Sequence, residues 1–347
     1  MGDLFEIKSN RQLNKDSFVF NGKGEYPYFT RTVFNNGIFG YVDYLDDEHK
    51  IKGNCLAVGM MGMQFFYMQK DFYAGQFTKR AIPKLFSLTP RLAIYFISLL
   101  NKNQDVFKNV LVRNFENEFN KFKIQLPIKN NKIDFEFMES FIAQIEAERI
   151  EKLEAYLEAS GLKDYILTAE EEQVLEDFEN GKIEWDEFIY KNIFNKIIQG
   201  RRLTKDNQIS GTIPFVMAGT TNTGIVNHIS NPVASFPKNS ITIDIFGNTF
   251  YRDYDFGAGD DTGVYWNTKK EYSRETMLFF TTSMGKSILG KFNYGTKLRS
   301  SKSLDLKMKL PTKNQKPNYE SMQTLMSAVQ KLVIKDVVLY VDNKIEV

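Results

Sequence analysis

The feature that most constrains this chain is a segment that occurs twice. Residues 126–150, LPIKNNKIDFEFMESFIAQIEAERI, align without a gap on residues 310–334, LPTKNQKPNYESMQTLMSAVQKLVI. Leu126, Pro127, Lys129, Asn130, Lys132 and Met138 match Leu310, Pro311, Lys313, Asn314, Lys316 and Met322, and Phe135, Ile142 and Ile145 face Tyr319, Met326 and Val329. Each copy is a Lys/Asn-rich turn followed by apolar residues at three- and four-residue steps, the pattern of a helix. Two such helices half a chain apart imply a molecule built twice.

The similarity extends upstream of both helices. RQLNKD at 11–16 matches RRLTKD at 201–206, and YPYFTRTVFNNGI at 26–38 matches IPFVMAGTTNTGI at 213–225. GNCLAVGMMGMQFF at 53–66 matches KNSITIDIFGNTFY at 238–251, and DFYAG at 71–75 matches DFGAG at 255–259. The order is kept, so this is a domain duplication rather than a short-period solenoid. Within each copy LAVGMMGMQFFYM and SITIDIFGNTFY alternate as strands do, with Gly62 and Gly247 marking a hairpin turn or bulge. PRLAIYFISLL at 90–100 and RETMLFFTTSM at 274–284 read as buried helices with core aromatics.

The fold expected is mixed α/β (α+β), two repeated globules of roughly 1–130 and 190–312. The first long helix is expected from about Asp134, its N-cap, to Ser160, with Gly161 just beyond it. The second is expected from Tyr319 to about Tyr340, with the strand-like VVLYV at 337–341 helical by analogy with the first. At 1.5 Å per residue the first helix is about 40 Å long and needs a partner for its apolar stripe. The expected contact residues are Met138, Ile142, Ile145, Leu153 and Leu157 on one helix and Met322, Met326, Val329 and Val333 on the other. The pair is expected to form an antiparallel coiled coil with pseudo-twofold symmetry. Residues 164–190, DYILTAEEEQVLEDFENGKIEWDEFIY, read as a solvated acidic connector with short helical turns, or as a docking surface for a basic protein.

The near-neutral net charge of +2 conceals segregation. Residues 1–133 hold 19 Lys/Arg against 12 Asp/Glu, residues 134–190 hold 4 against 18, and residues 191–315 hold 18 against 9. Two basic globules therefore flank an acidic middle, which favours a polyanion such as nucleic acid. One Cys (Cys55) and two His (His49, His228) make a Cys/His metal site or an internal disulfide untenable and fit a reducing compartment. No phosphate loop, Gly-x-Gly-x-x-Gly run, nucleophile elbow, amino-methyltransferase motif or nuclease carboxylate–lysine cluster occurs. GAGDDTG at 257–263 is glycine-rich, but it aligns with YAGQFTK at 73–79 and belongs to the repeat. The opening MGDLFEIKSN has no signal-peptide core.

The order basic globule, long helix, basic globule, long helix resembles the specificity (S) subunits of type I restriction–modification systems, and more closely the compact S subunits of type IIB enzymes. The residues that carry the resemblance are DLFEI at 3–7, the helices after LPIKN and LPTKN, and the connector LTAEEE…IEWDEF. It covers nearly the whole chain. It departs from the family in starting the first repeat at Met1, with almost no preceding tail. The resemblance implies a first target-recognition domain at 1–133, a spacer helix at 134–163 and a connector at 164–190. A second recognition domain at 191–315 and a second spacer helix at 316–347 complete it. It further implies double-stranded DNA and methyltransferase subunits as partners, with a restriction subunit in some systems. S-adenosylmethionine and Mg²⁺ would sit on those partners, no cofactor or metal on this chain, and the location would be cytoplasmic.

Side chains that differ between the repeats are the natural readers of two different half-sites. With the shared Asn35 and Asn222 added, the candidates in the first copy are Arg31, Thr32, Asn35, Asn36, Met63, Gln64, Tyr67 and Gln69. In the second they are Thr220, Thr221, Asn222, Asn248, Thr249, Arg252 and Tyr254, with Asn35, Asn222, Gly37 and Gly224 also suited to fixing the turn. Phosphate contacts are expected from Arg11, Lys15, Lys79 and Arg80, and from Arg202, Lys205, Lys297 and Arg299. A helical rod of about 40 Å would hold the readers about one DNA turn apart, over a target with an unread gap. The acidic face Glu146, Glu148, Glu151 and Glu154 is a candidate partner surface. Two other classes remain open at this point: a single-chain DNA-cleaving enzyme with an unrecognised site, and a duplicated module that binds protein or glycan.

Overall fold

The computed structural model describes residues 1–20, 22–110, 112–232 and 235–345; the last two residues of the second helical segment, 346 and 347, lie outside the described residues. It divides into two compact units, 1–152 and 153–347.

The first unit runs β1 (Phe5–Ser9), β2 (Tyr26–Phe29), β3 (Ile38–Val42), β4 (Cys55–Gly59), β5 (Phe65–Met68), β6 (Tyr73–Ala74) and β7 (Thr78–Pro83). Then follow α1 (Pro90–Lys102), α2 (Gln104–Lys108), α3 (Phe115–Lys121), the short pair β8 (Ile128–Lys129) and β9 (Lys132–Ile133), and α4 (Phe135–Ala159). The second begins with α5 (Ala169–Glu179), β10 (Trp185–Ile189), α6 (Tyr190–Ile193), β11 (Lys196–Gln199), β12 (Ser210–Val216), β13 (Ile225–Ile229) and β14 (Ser235–Phe236). It continues through β15 (Ser240–Asp244), β16 (Thr249–Arg252), β17 (Phe256–Ala258) and β18 (Thr262–Trp266). It ends with α7 (Arg274–Ile288), α8 (Ser300–Ser303), β19 (Lys307–Lys313), β20 (Lys316–Pro317) and α9 (Tyr319–Ile345).

The duplication is one of topology. The first unit has an antiparallel sheet ordered β1-β7-β4-β5 and a second sheet β3-β2-β6; the other has β11-β18-β15-β16 and β13-β12-β17-β14. In both, one pair of the second sheet is parallel: β2 with β6, and β12 with β17. A helix packs on β1-β7-β4-β5 and another on β11-β18-β15-β16, α1 against β5 and α7 against β15 and β16. Phe5, Phe65, Phe96, Phe107, Phe115 and Phe119 are fully buried in the first core, and Tyr190, Tyr265 and Phe280 in the second.

The repeated Lys/Asn turn is a tight hairpin ahead of each long helix. Lys129 pairs with Lys132 and Lys313 with Lys316. Asn130, Asn131, Asn314 and Gln315 all have φ between 52° and 61°. Two successive left-handed residues make the turn whose twist matches paired strands, and Asn tolerates that region best. The chain then enters the helix over an N-cap. The Phe137 amide donates to Asp134 Oδ1 at 2.9 Å, and the Ser321 amide to Asn318 Oδ1 at 3.2 Å. Phe135 stacks near Phe86 at 4.8 Å between centroids, and Tyr319 near Tyr272 at 5.5 Å. α4 ends as expected, with Gly161 at φ 68° and the Leu162 amide donating to the Leu157 carbonyl at 2.9 Å. VVLYV is helical, inside α9.

The structure corrects two sequence readings of these helices. On α9 the buried residues are Met322, Leu325, Ala328, Val338 and Val341, whereas Val329 and Val333 are 37 % and 74 % exposed. In its first half the helix turns its buried side toward its own domain, where Met322 enters the second core and Gln330 accepts a hydrogen bond from Arg274 at 2.7 Å. On α4, Met138 and Ile142 are buried in the first unit and Leu157 in the second, while Ile145 is 40 % exposed.

Residues 164–190 are folded rather than a loose connector, although most of their side chains are exposed. Thr168 and Glu171 form a reciprocal capping box that starts α5, and β10 pairs with β19 in register from Trp185–Pro311 to Ile189–Lys307. Glu171 is buried and accepts hydrogen bonds from Ser327 Oγ at 2.6 Å and Lys331 Nζ at 3.0 Å. Three of the four acidic residues on α4 also have partners within their own unit: Glu146 pairs with Arg91 at 3.0 Å, Glu154 with Lys163 at 3.0 Å, and Glu148 accepts from Gln144 Nε2 at 3.2 Å.

Candidate nucleic-acid interface

The loops between β2 and β3 and between β12 and β13 share an unusual backbone. Asn35 and Asn36 have φ 47° and 52°, followed by Gly37 at 78°. Asn222 and Thr223 have φ 47° and 51°, followed by Gly224 at 85°. Left-handed non-glycine residues are uncommon, and a β-branched one such as Thr223 is strained. A side chain at Gly37 would lie 2.2 Å from the Phe29 ring. Asn35 Nδ2 donates to the Ile38 carbonyl at 3.1 Å, so Asn35 and Gly37 hold the turn. The backbone is shared; the exposed side chains on it are not.

In the first unit the loop offers Arg31 and Asn36 to solvent, with Thr32 half-buried and its Oγ1 accepting from the Phe34 amide at 3.2 Å. The Arg31 guanidinium stands 5.7 Å from the Phe77 ring centroid. In the second unit Thr220, Thr221 and Asn222 are exposed. There the loop is anchored from below: Gly219 donates to Asp244 Oδ2 and Ala218 to Asp261 Oδ2, each at 3.0 Å.

Arg252 and Met63 are corrected as base-contact candidates, because both are buried, each 2 % exposed. The reason for Arg252 is register. Counting from Gly62 and Gly247 sets Arg252 against Tyr67. The strand pairing sets Cys55 opposite Met68 and Ser240 opposite Arg252, so the structural counterpart of Arg252 is the core residue Met68. The second hairpin is one residue shorter, and a one-residue slip moves a strand side chain to the other face. Arg252 donates from Nη2 to the Thr223 carbonyl at 2.6 Å, and from Nη1 to Thr223 Oγ1 and Tyr254 Oη, each at 3.1 Å. Its Nε donates to Thr242 Oγ1 at 3.1 Å. Burial pulls this guanidinium below its ordinary pKa, with Tyr254 opposing. It clamps the strained Thr223 from inside.

Other candidates are also engaged within the fold. Tyr67 Oη donates to Asn54 Oδ1 at 3.0 Å, and its true counterpart Tyr251 donates to Asn239 Oδ1 at 3.1 Å. Asn248 Nδ2 donates to Asp244 at 2.7 Å, and Thr249 Oγ1 to the Gly247 carbonyl at 3.1 Å. Gln64 and Tyr254 are half-buried and Gln69 is exposed.

Among the cations, Arg202 and Lys205 line an open groove of about 650 Å³ with Gln208, Met217, Asn227 and Asp260. Met217 begins the β12–β13 loop and Asn227 lies on β13, so this groove adjoins the reading loop. Asn227 Nδ2 donates to Gln208 Oε1 at 2.9 Å. Arg299 donates to the Asp260 carbonyl, and Lys297 stands 4.4 Å over Tyr294. In the first unit Arg11 donates to the Glu48 carbonyl, and Lys15 is exposed on the turn Lys15–Ser17. Lys79 and Arg80 are neighbours on β7 and project to opposite faces of the sheet, so they do not act as one clamp. Sequence reasoning missed Asp244, Asp261 and Phe77, whose roles come from loops that meet only in the fold.

Catalytic chemistry finds little support in the remaining groups. Burial pushes the Cys55 thiol up to about 12, so it is a core residue and not a nucleophile. His49 Nδ1 lies 2.9 Å from Asp46 in a turn, and His228 is exposed on β13. Among the described residues no group of three or more His, Cys, Asp or Glu is placed to hold a metal ion, and no helix is long and apolar enough to cross a membrane.

Comparison with known proteins gives a consistent result. A model of the type I restriction modification DNA specificity domain matches residues 1–155 and again 182–338. The type II restriction enzyme BgcI specificity subunit S.BcgI of Heyndrickxia coagulans is 26 % identical over 341 residues, covering 96 % of this chain and 94 % of that protein. The crystal structure of a type I restriction–modification system S subunit from M. genitalium superposes with a TM-score of 0.59 at 16 % identity, over 99 % of this chain and 90 % of that one.

Proposed function

The chain belongs to the type I restriction modification DNA specificity domain family, with one family domain in each half, and we propose that its two domains each read one half of an interrupted DNA target. It is a specificity subunit with two target-recognition domains and is not itself the catalyst. The observation that carries the reading is the duplicated left-handed loop, alike in backbone and different in side chains. A scaffold kept twice with its exposed residues changed is what two unlike half-sites require.

Phosphates would be held by Arg202 and Lys205 in the groove beside the second loop, and by Arg11 and Lys15 in the first domain. These contacts give salt-dependent affinity without sequence information. Base edges would be met by Arg31 and Asn36 in one domain and by Thr220, Thr221 and Asn222 in the other. The guanidinium fork suits guanine O6 and N7, and a side-chain amide suits adenine N6 and N7, each such pair being worth about 1–3 kcal/mol of discrimination. The long helices would act as spacer and as seat for methyltransferase subunits, and in some systems a restriction subunit. S-adenosylmethionine and Mg²⁺ would bind on those partners, in the cytoplasm.

The test is to incubate the purified chain with plasmid, Mg²⁺ and S-adenosylmethionine, alone and with its methyltransferase subunits. Site-specific methylation only in the mixture is expected. Cutting or methyl transfer by the chain alone would overturn the reading.

A further inference from the structure

The tips of the two recognition domains differ in chemistry, and the difference specifies what the first one reads. Around Arg31 four apolar side chains are open to solvent: Phe34 at 79 %, Met61 at 69 %, Phe77 at 48 % and Val33 at 42 %. They come from three separate segments, the β2–β3 loop, the β4–β5 turn and the approach to β7. These segments are packed together by close backbone contact. A side chain at Gly59 would lie 2.6 Å from Arg31 Cα, and one at Gly62 would lie 2.5 Å from Val33 Cγ1. Phe77 is held at φ 57°, a conformation an exposed phenylalanine does not adopt for stability's sake. Its ring lies beside the Arg31 guanidinium and limits where that fork can swing.

The second domain lacks this surface. Its counterpart of Arg31 is Ala218, and at the place of Phe77 stands Asp261: the Met60 amide donates to the Phe77 carbonyl as the Ile245 amide donates to that of Asp261. Its loop exposes the hydroxyls of Thr220 and Thr221. Of the four positions there that match Val33, Phe34, Met61 and Phe77, Phe246 alone is apolar, at 39 % exposed.

We infer that the first domain reads a guanine flanked by thymine, Arg31 taking the guanine and the Phe34–Met61 surface packing on the thymine C5-methyl group. In the major groove the thymine methyl is the one apolar group a base edge presents. An apolar rim beside a guanidinium therefore matches a guanine–thymine step. The inference rests on the DNA-reading role proposed above.

The test uses the full complex with its methyltransferase subunits and a duplex bearing the mapped target, with each thymine replaced in turn by deoxyuracil. At least one replacement in the first half-site should weaken binding about fourfold, the worth of one buried methyl. In the F34A/M61A variant this first-half sensitivity should vanish while preference for the guanine persists. The inference is overturned if the first half-site contains no thymine or is indifferent to uracil while base substitutions there still abolish binding. It is equally overturned if the sensitive step is unstacked and permanganate-reactive, which would mean insertion between bases. Loss of all sequence preference would instead defeat the DNA-reading role itself.

Discussion

Arg252→Met replaces the clamp of the second recognition loop by the residue that fills the same strand position, Met68, in the first domain. Four donated hydrogen bonds are removed, at 3.1, 3.1, 3.1 and 2.6 Å. Bonds from a charged donor net about 1.5–3 kcal/mol each, and the Thr223 carbonyl loses its charged partner. One effect opposes the loss: a methionine in its place recovers about 1.5–3 kcal/mol of apolar burial. The net destabilisation is therefore about 3 kcal/mol or more. Recognition is affected as well. Left-handed Thr223 stores about 1–3 kcal/mol of strain, which relaxes when the clamp is gone. Discrimination in the second half-site should fall about tenfold, while the first half-site is read as before. Denaturant unfolding and titration of duplexes altered in either half measure both. Unchanged second-half discrimination alongside reduced stability would reduce Arg252 to a core filler, and equal loss in both halves would make the effect global.

Three further outcomes follow from the same contacts. Burial by itself would raise the Glu171 pKa, but Ser327, the Thr168 amide and Lys331 together hold it below 4.5, so its stabilising contribution is present above that pH and is lost as pH falls through the lowered folded value. Glu171→Ala should cost about 3 kcal/mol, the low end for breaking a buried pair because Lys331 keeps Asp164 at 3.1 Å, and Glu171→Gln should flatten the acid limb of the stability profile. Gly59→Ala should displace the Arg31 loop by driving a methyl to 2.6 Å from its backbone, costing about 1–3 kcal/mol and weakening only first-half reading, by melting and half-site titration. Replacing Arg202 and Lys205 by Ala should weaken binding to all duplexes alike and lower the slope of log K against log salt by about 0.9 per cation.

Local devices were legible in the chain because local residues determine them. Asp134 caps its helix with its own side chain, the Lys/Asn run turns the chain ahead of each long helix, and α1 and α7 follow the spacing of their apolar residues. What escaped depended on partners distant in sequence. The acidic run around Glu171 reads as solvated until Lys331, 160 residues later, is brought to it. The stripe of α9 was placed by analogy with α4, whereas α7 and α5 decide which face is buried, so Leu325 and Ala328 lie inside and Val333 does not. Arg252 failed through counting: a hairpin shorter by one residue turns an apparent reader into the support beneath a reader.

The central claim is that one chain carries two separate readers. Long-read mapping of methylated motifs tests it most directly, in a host that makes this chain with its methyltransferase subunits, compared with the same host making the Arg31→Ala, Arg252→Met or double variant. The expected result is a motif of two short specified halves with a fixed unspecified gap, relaxed in one half by each single variant and in both by the double. A continuous motif, or one whose two halves relax together under either single substitution, would contradict it.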